Sequence, residues 1–86
     1  MNYFHQRWAI WFSIGDKLTM RELIYDRNPV YPLGGYDESG YPSGGTKFTT
    51  IGEAVRALDW CKIHYDPDKY HFAIVTYSMG IDEGVG

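Results

Sequence analysis

Three histidines, one cysteine and a scatter of hydroxyls and carboxylates are the side chains of this 86-residue chain that could make or break bonds. A metal centre needs three or four Cys, His or carboxylate ligands that converge, and these usually include closely spaced pairs. His5, Cys61, His64 and His71 have no such spacing; only His5 and His71, on the less apolar sides of two expected strands, have a route to one another through a sheet. A reactive thiol must be exposed beside a positive group. Cys61 falls instead on the inward side of an expected helix with Ala54 and Leu58, where it packs as a small hydrophobe. Ser13, Ser39, Ser43 and Ser78 lie in no nucleophile-elbow pattern, and Asp26, Asp37, Glu38 and Asp59 read as surface acids and not as a catalytic pair. The expectation is a protein with no catalytic residue, no metal and no cofactor.

Gly34-Gly35 and Gly44-Gly45 invite comparison with loops that cradle phosphate, the second more so because Thr46 and Lys47 follow it shortly before a helix. A P-loop requires Gly-x-x-x-x-Gly-Lys-Ser/Thr running straight into that helix, and here Phe48, Thr49 and Thr50 intervene.

Two features have the character of contact surface. The first is a repeat, Tyr31-Pro32-Leu33-Gly34-Gly35, Tyr36-Asp37-Glu38-Ser39-Gly40, Tyr41-Pro42-Ser43-Gly44-Gly45, in which a tyrosine returns every fifth residue. Tyr, Ser and Gly together combine rigid aromatic anchors with adaptable backbone, the composition of antibody binding loops. A flexible linker is the other reading of such a segment. The second feature is Arg56, Trp60 and Ile63, spaced four and three apart on the back of the expected helix; Trp11, beside Arg7 and Ser13 on the outer side of the first strand, raises the same question. A tryptophan in such a place is either covered by another layer of its own domain or is a hot spot for a partner or a second copy.

The elements that would hold these residues follow from local pattern. Phe4 to Ile14 places Phe4, Trp8, Ile10, Phe12 and Ile14 on one side and His5, Arg7, Ala9, Trp11 and Ser13 on the other, the alternation of a strand. A three-residue turn at Gly15-Asp16-Lys17 would set Leu18, Met20 and Ile24 opposite Ile14, Phe12 and Trp8, a register that fits except at Glu22. Thr19-Met20-Arg21-Glu22 also matches a capping box, so residues 18–26 are a strand or a short helix. Residues 28–47, with three prolines and five glycines, should hold neither a ladder nor a helix. Thr50-Ile51-Gly52-Glu53 is a second capping box and opens a helix with Ile51, Ala54, Val55, Leu58, Cys61 and Tyr65 inward, stopped by Asp66-Pro67-Asp68. Tyr70 to Tyr77 is β-branched and aromatic on both sides, which predicts a central strand. The fold class expected is α+β, a small, mostly antiparallel sheet of about three strands with one helix packed on it. One domain spans residues 1–79, with a flexible tail at 80–86.

Composition limits the partners. Hydrophobic residues make up 44% of the chain, enough to support a core, and the net charge of −3 comes with no run of Lys or Arg, so the basic footprint of a nucleic-acid binder is missing. Residues 1–8 contain no apolar signal core, and no segment has the apolar length of a membrane span. One cysteine leaves no internal disulfide, so the expected setting is cytoplasmic. In size, acidity and lack of catalytic signatures the chain is similar to small proteins of bacteriophages and mobile elements, among them anti-CRISPR and host-takeover inhibitors. That resemblance implies a non-catalytic protein-binding module that occludes or modulates a larger protein or complex, and it carries no residue-level match; the contact residues Tyr31, Tyr36, Tyr41, Arg56, Trp60, Ile63 and Trp11 come from the two surface features above, with a homodimer as a further arrangement. The alternatives are a nucleotide-like small-molecule binder using the loop tyrosines and a small enzyme based on one of the histidines.

Overall fold

The alternation from Phe4 to Ile14 becomes strand β1 (Phe4–Ile14) in the computed structural model, which describes residues 4–15 and 19–80. Among the described residues, β1 is joined by β2 (Met20–Ile24), β3 (Leu33–Gly35) and β4 (Tyr70–Gly80) in one antiparallel sheet ordered β3-β2-β1-β4, with helix α1 (Ile51–His64) packed on it. The expected α+β architecture is present, with one strand more than anticipated because the proline- and glycine-rich segment contributes β3. Asp16, Lys17 and Leu18 of the expected turn, and residues 81–86 of the expected tail, lie outside the described residues.

Residues 20–24 form a strand and no helix, in a register one residue away from the hairpin read from sequence. Met20 stands opposite Ser13, Arg21 opposite Phe12 and Glu22 opposite Trp11. A shift of one exchanges the two sides of a strand. Leu23 thereby joins Ile10 and Phe12 in the core, and Glu22 moves to the Trp11 side, which removes the misfit.

β4 pairs with β1 along its whole length, from Ile14 opposite Tyr70 to Phe4 opposite Gly80, and it is an edge strand and not the central one. The central place belongs to β1, both of whose sides are covered: Ile10 and Phe12 are buried on one, Ala9 and Ser13 on the other. Apolar residues on both sides of β4 reflect these two covering layers, without implying a strand on each flank.

The helix begins where Thr50, in extended conformation, accepts the Glu53 N–H on its hydroxyl at 3.2 Å. The returning half of the box differs: the Glu53 carboxylate takes the Thr49 hydroxyl at 3.4 Å. At the other end Tyr65 leaves the helix in extended conformation and donates its N–H to the Cys61 carbonyl, after which the Asp66 carbonyl receives the Lys69 and Tyr70 amides and turns the chain into β4. The face that enters the core is Ala54, Ala57 and Cys61, flanked by Leu58, Trp60 and Tyr65. Small side chains there let the helix approach the sheet closely. The inward face is therefore rotated from the one read from sequence, and Ile51 and Val55 are exposed.

Candidate functional site

The loop from Tyr36 to Lys47 lies against the side of the sheet away from the helix, and a carboxylate holds it there. Glu22 is fully enclosed. Its Oε2 accepts the Tyr77 hydroxyl at 2.6 Å and the Trp11 indole N–H at 3.2 Å; its Oε1 accepts the Gly45 N–H at 2.9 Å and forms an ion pair with Lys47. Burial would raise the Glu22 pKa, but the donors from Lys47, Tyr77, Gly45 and Trp11 outweigh it and hold the carboxyl below its ordinary value. The same burial, with Glu22 as acceptor, pushes the Tyr77 phenol up to about 12. Two donors from the strands and two from the loop thus meet the two oxygens of one carboxylate, and Glu22 works as a clasp between them. A Cβ on Gly45 would lie 2.5 Å from the Glu22 Cγ and from the Leu23 carbonyl oxygen, so only glycine lets the loop come this near.

Beyond the clasp, the loop is built into the sheet. Where β2 diverges from β1, Thr46 donates its N–H to the Leu23 carbonyl at 2.9 Å, and Phe48 and Trp8 exchange both backbone bonds at 2.7 and 3.0 Å. The start of the loop is tied to the helix terminus, where the Tyr65 hydroxyl donates to the Asn28 carbonyl. Its tip is a tight hairpin. The Asp37 carboxylate accepts the Ser39 and Tyr41 amides at 2.9 Å each, Asp37 and Tyr41 are also bonded through the backbone, and Tyr36 bridges Pro42. Hydrogen bonds from Ser39 and Tyr41 hold the Asp37 carboxyl below its usual range. Short ladders thus replace the structureless segment expected at residues 28–47.

The tyrosines of the repeat stay outside this framework, with Tyr31, Tyr36 and Tyr41 exposed by 51%, 55% and 53%. They do not share one patch. Tyr41 meets Trp11 edge-to-face at 5.4 Å and, with Met20 and Pro42, lines an open groove of about 380 Å³. Tyr36 carries the Arg21 guanidinium over its ring at 4.3 Å, on the side of β2 that bears Leu23. Trp11 itself is half-buried, its N–H spent on Glu22 and Tyr77.

The helix residues separate as well. Trp60 is half-buried and touches Tyr25 edge-to-face at 6.0 Å, Tyr65 at 5.6 Å and His64 in a stack at 4.2 Å. It forms the wall of a cleft of about 400 Å³ whose other lining includes Tyr25, Arg27 and Arg56. Arg27 has a φ of 57°, a left-handed conformation that a non-glycine residue adopts at some cost. Ile63 is solitary, 78% exposed.

The histidines do not assemble. His71 faces Ser13 and His5 faces Met79, so eight steps along β1 separate them, roughly 26 Å of strand. Among the described residues no three Cys, His, Asp or Glu side chains converge on a common point. Burial pushes the Cys61 thiol up to about 11. Glu22, Lys47 and Tyr77, which meet in the clasp, have no spacing in the sequence that marks them as a group. Their one trace was the acid that would not fit an apolar strand. Among the described residues no helix is long and apolar enough to cross a membrane. Comparison with known proteins returned no matching family model, no matching curated relative and no matching solved structure.

Proposed function

We propose that this protein is a non-catalytic, cytoplasmic binding module that engages a larger protein through the clasped loop, with Tyr41, Trp11 and Tyr36 as the anchors. One observation carries this reading: three tyrosines stand half in solvent on a loop whose backbone is fixed at Asn28, Gly35, Asp37, Gly45 and Thr46. Rings already held in place lose little freedom on docking, which favours affinity. An occluding, inhibitor-type role draws its support from size, acidity and composition alone. The test is affinity capture from the native host with the wild-type chain, Tyr41→Ala and Tyr36→Ala, each shown to be folded. A stoichiometric macromolecule lost on either substitution supports the proposal; capture indifferent to both refutes it.

A second reading, binding of a nucleotide-like small molecule, is favoured by the cleft at Trp60. Its three aromatic rings, Tyr25, Phe48 and Trp60, and its two guanidinium groups, which outnumber the one carboxylate of Glu53, suit a planar anion, and its volume of about 400 Å³ is within the range of ligand pockets. It relies on Tyr25 and Trp60 in place of the loop tyrosines. Thermal stabilisation of the isolated chain by nucleotides, abolished in Arg56→Ala, would establish it.

A further inference from the structure

The two edges of the sheet are finished differently. β3 is three residues long, its next residue bridges Pro42, and the Gly35 carbonyl takes the Ser43 N–H at 3.2 Å, so the chain folds back over that edge. At the other edge β4 runs for eleven residues. Tyr70 to Gly80 contains no Asp, Glu, Lys, Arg or Pro, and among the described residues the one backbone bond to its outer side is at its first residue, where the Tyr70 N–H meets the Asp66 carbonyl at 2.9 Å; from Phe72 to Ser78 none is made. Natural sheets guard such edges with charge, proline, bulges or cover, because an open ladder recruits another strand.

Two sets of bonds fix which groups face outward. Gly15 donates to the Lys69 carbonyl at 2.9 Å, continuing the β1–β4 register and placing the odd-numbered residues of both strands in hydrogen-bonded pairs. Trp8 bonds Phe48 on the opposite flank of β1, as the alternation demands of an even-numbered residue. Within β4, Phe72, Ile74, Thr76 and Ser78 therefore turn one N–H and one C=O each to the open side.

We infer that this edge is the seat of a homodimer in which two copies of β4 pair antiparallel about a two-fold axis at Val75, carrying one sheet through both chains. In that register Ile74 exchanges bonds with Thr76 of the second copy and Phe72 with Ser78, so the outward N–H and C=O of these four residues all find their complement. Val75 meets Val75 and Ala73 meets Tyr77 across the junction. The occupant is a second copy because the edge carries no charge with which to select a charged peptide, while self-pairing brings no like charges together in spite of the chain's net −3. This inference goes beyond the loop reading and uses none of its anchors, Tyr41, Trp11 and Tyr36.

The test is light scattering across a wide concentration range, with amide hydrogen exchange, on the wild type, Thr76→Pro and Thr76→Lys. Thr76 is exposed and its N–H serves no bond to β1, so proline there removes only an outward donor; lysine is the second variant should proline loosen the strand. The expected result is a wild-type mass twice the 9.9 kDa of one chain, with slow exchange at Phe72, Ile74, Thr76 and Ser78. Folded single chains with fast exchange at Ile74 are expected for the variants. A wild type that stays monomeric at every concentration overturns the inference. So does a dimer that survives both variants, whose contact would then lie elsewhere.

Discussion

Phe12 and Trp11 are neighbours in one strand and meet opposite layers of the molecule. Phe12 is buried beneath the helix with Ile10, Leu23 and Phe72, where contact is apolar and each ring is held by many weak contacts. Trp11 faces the loop, and its place is set by a hydrogen bond to one carboxylate, which also receives a phenol, an amide and an ammonium. Apolar packing tolerates small displacements, whereas a buried polar cluster is directional and fails when one member is lost. The helix layer therefore supplies stability, and the loop layer supplies position, including that of the tyrosines it presents.

Substitutions should separate the two layers. The largest effect is expected from Phe12→Ala, which should lower unfolding free energy by about 3–5 kcal/mol in urea titrations and affect both layers together. Glu22→Gln should cost about 2 kcal/mol, because it leaves the buried donors of Trp11 and Tyr77 and the Lys47 ammonium poorly matched. Its signature is local: amides of residues 41–46 should exchange faster while those of α1 keep their relative protection. The Glu22 pKa is depressed in the folded protein, so its contribution is present above the ordinary value of 4.5 and is lost as pH falls through the depressed value. Wild type should accordingly lose stability relative to Glu22→Gln as pH drops below that range, measured by chemical denaturation at a series of pH values. Thr50→Ala should cost about 1 kcal/mol through loss of the N-cap, without altering the loop. The smallest stability change is expected for Tyr41→Ala, under about 1 kcal/mol, since the ring is half in water and its main loss is one aromatic contact with Trp11.

What could be read from the chain follows the same division. β1, the capped start of α1 and the β-branched core of β4 are local patterns, and each appears where its residues place it. The hairpin register was not local: it depends on Glu22 finding Gly45, Lys47 and Tyr77, which lie 23, 25 and 55 residues away. The rotation of α1 had a signal, the stripe Ala54, Ala57 and Cys61, but the larger Ile51 and Val55 pointed elsewhere. The edge position of β4 was hidden because apolar residues on both sides of a strand announce two covering layers and say nothing of its lateral neighbours. At the site, the exposed tyrosines were legible as a repeat, while their dispersal to different parts of the surface was set by long-range bonds that no spacing records.

Amide hydrogen exchange on the wild-type loop tests the clasp most directly. Ser43 and Thr46, whose N–H groups bond the Gly35 and Leu23 carbonyls, together with Gly45, bonded to Glu22, should exchange far more slowly than an unfolded chain, and Glu22→Gln should release them. Exchange of these three amides at unfolded-chain rates in the wild type would contradict the account.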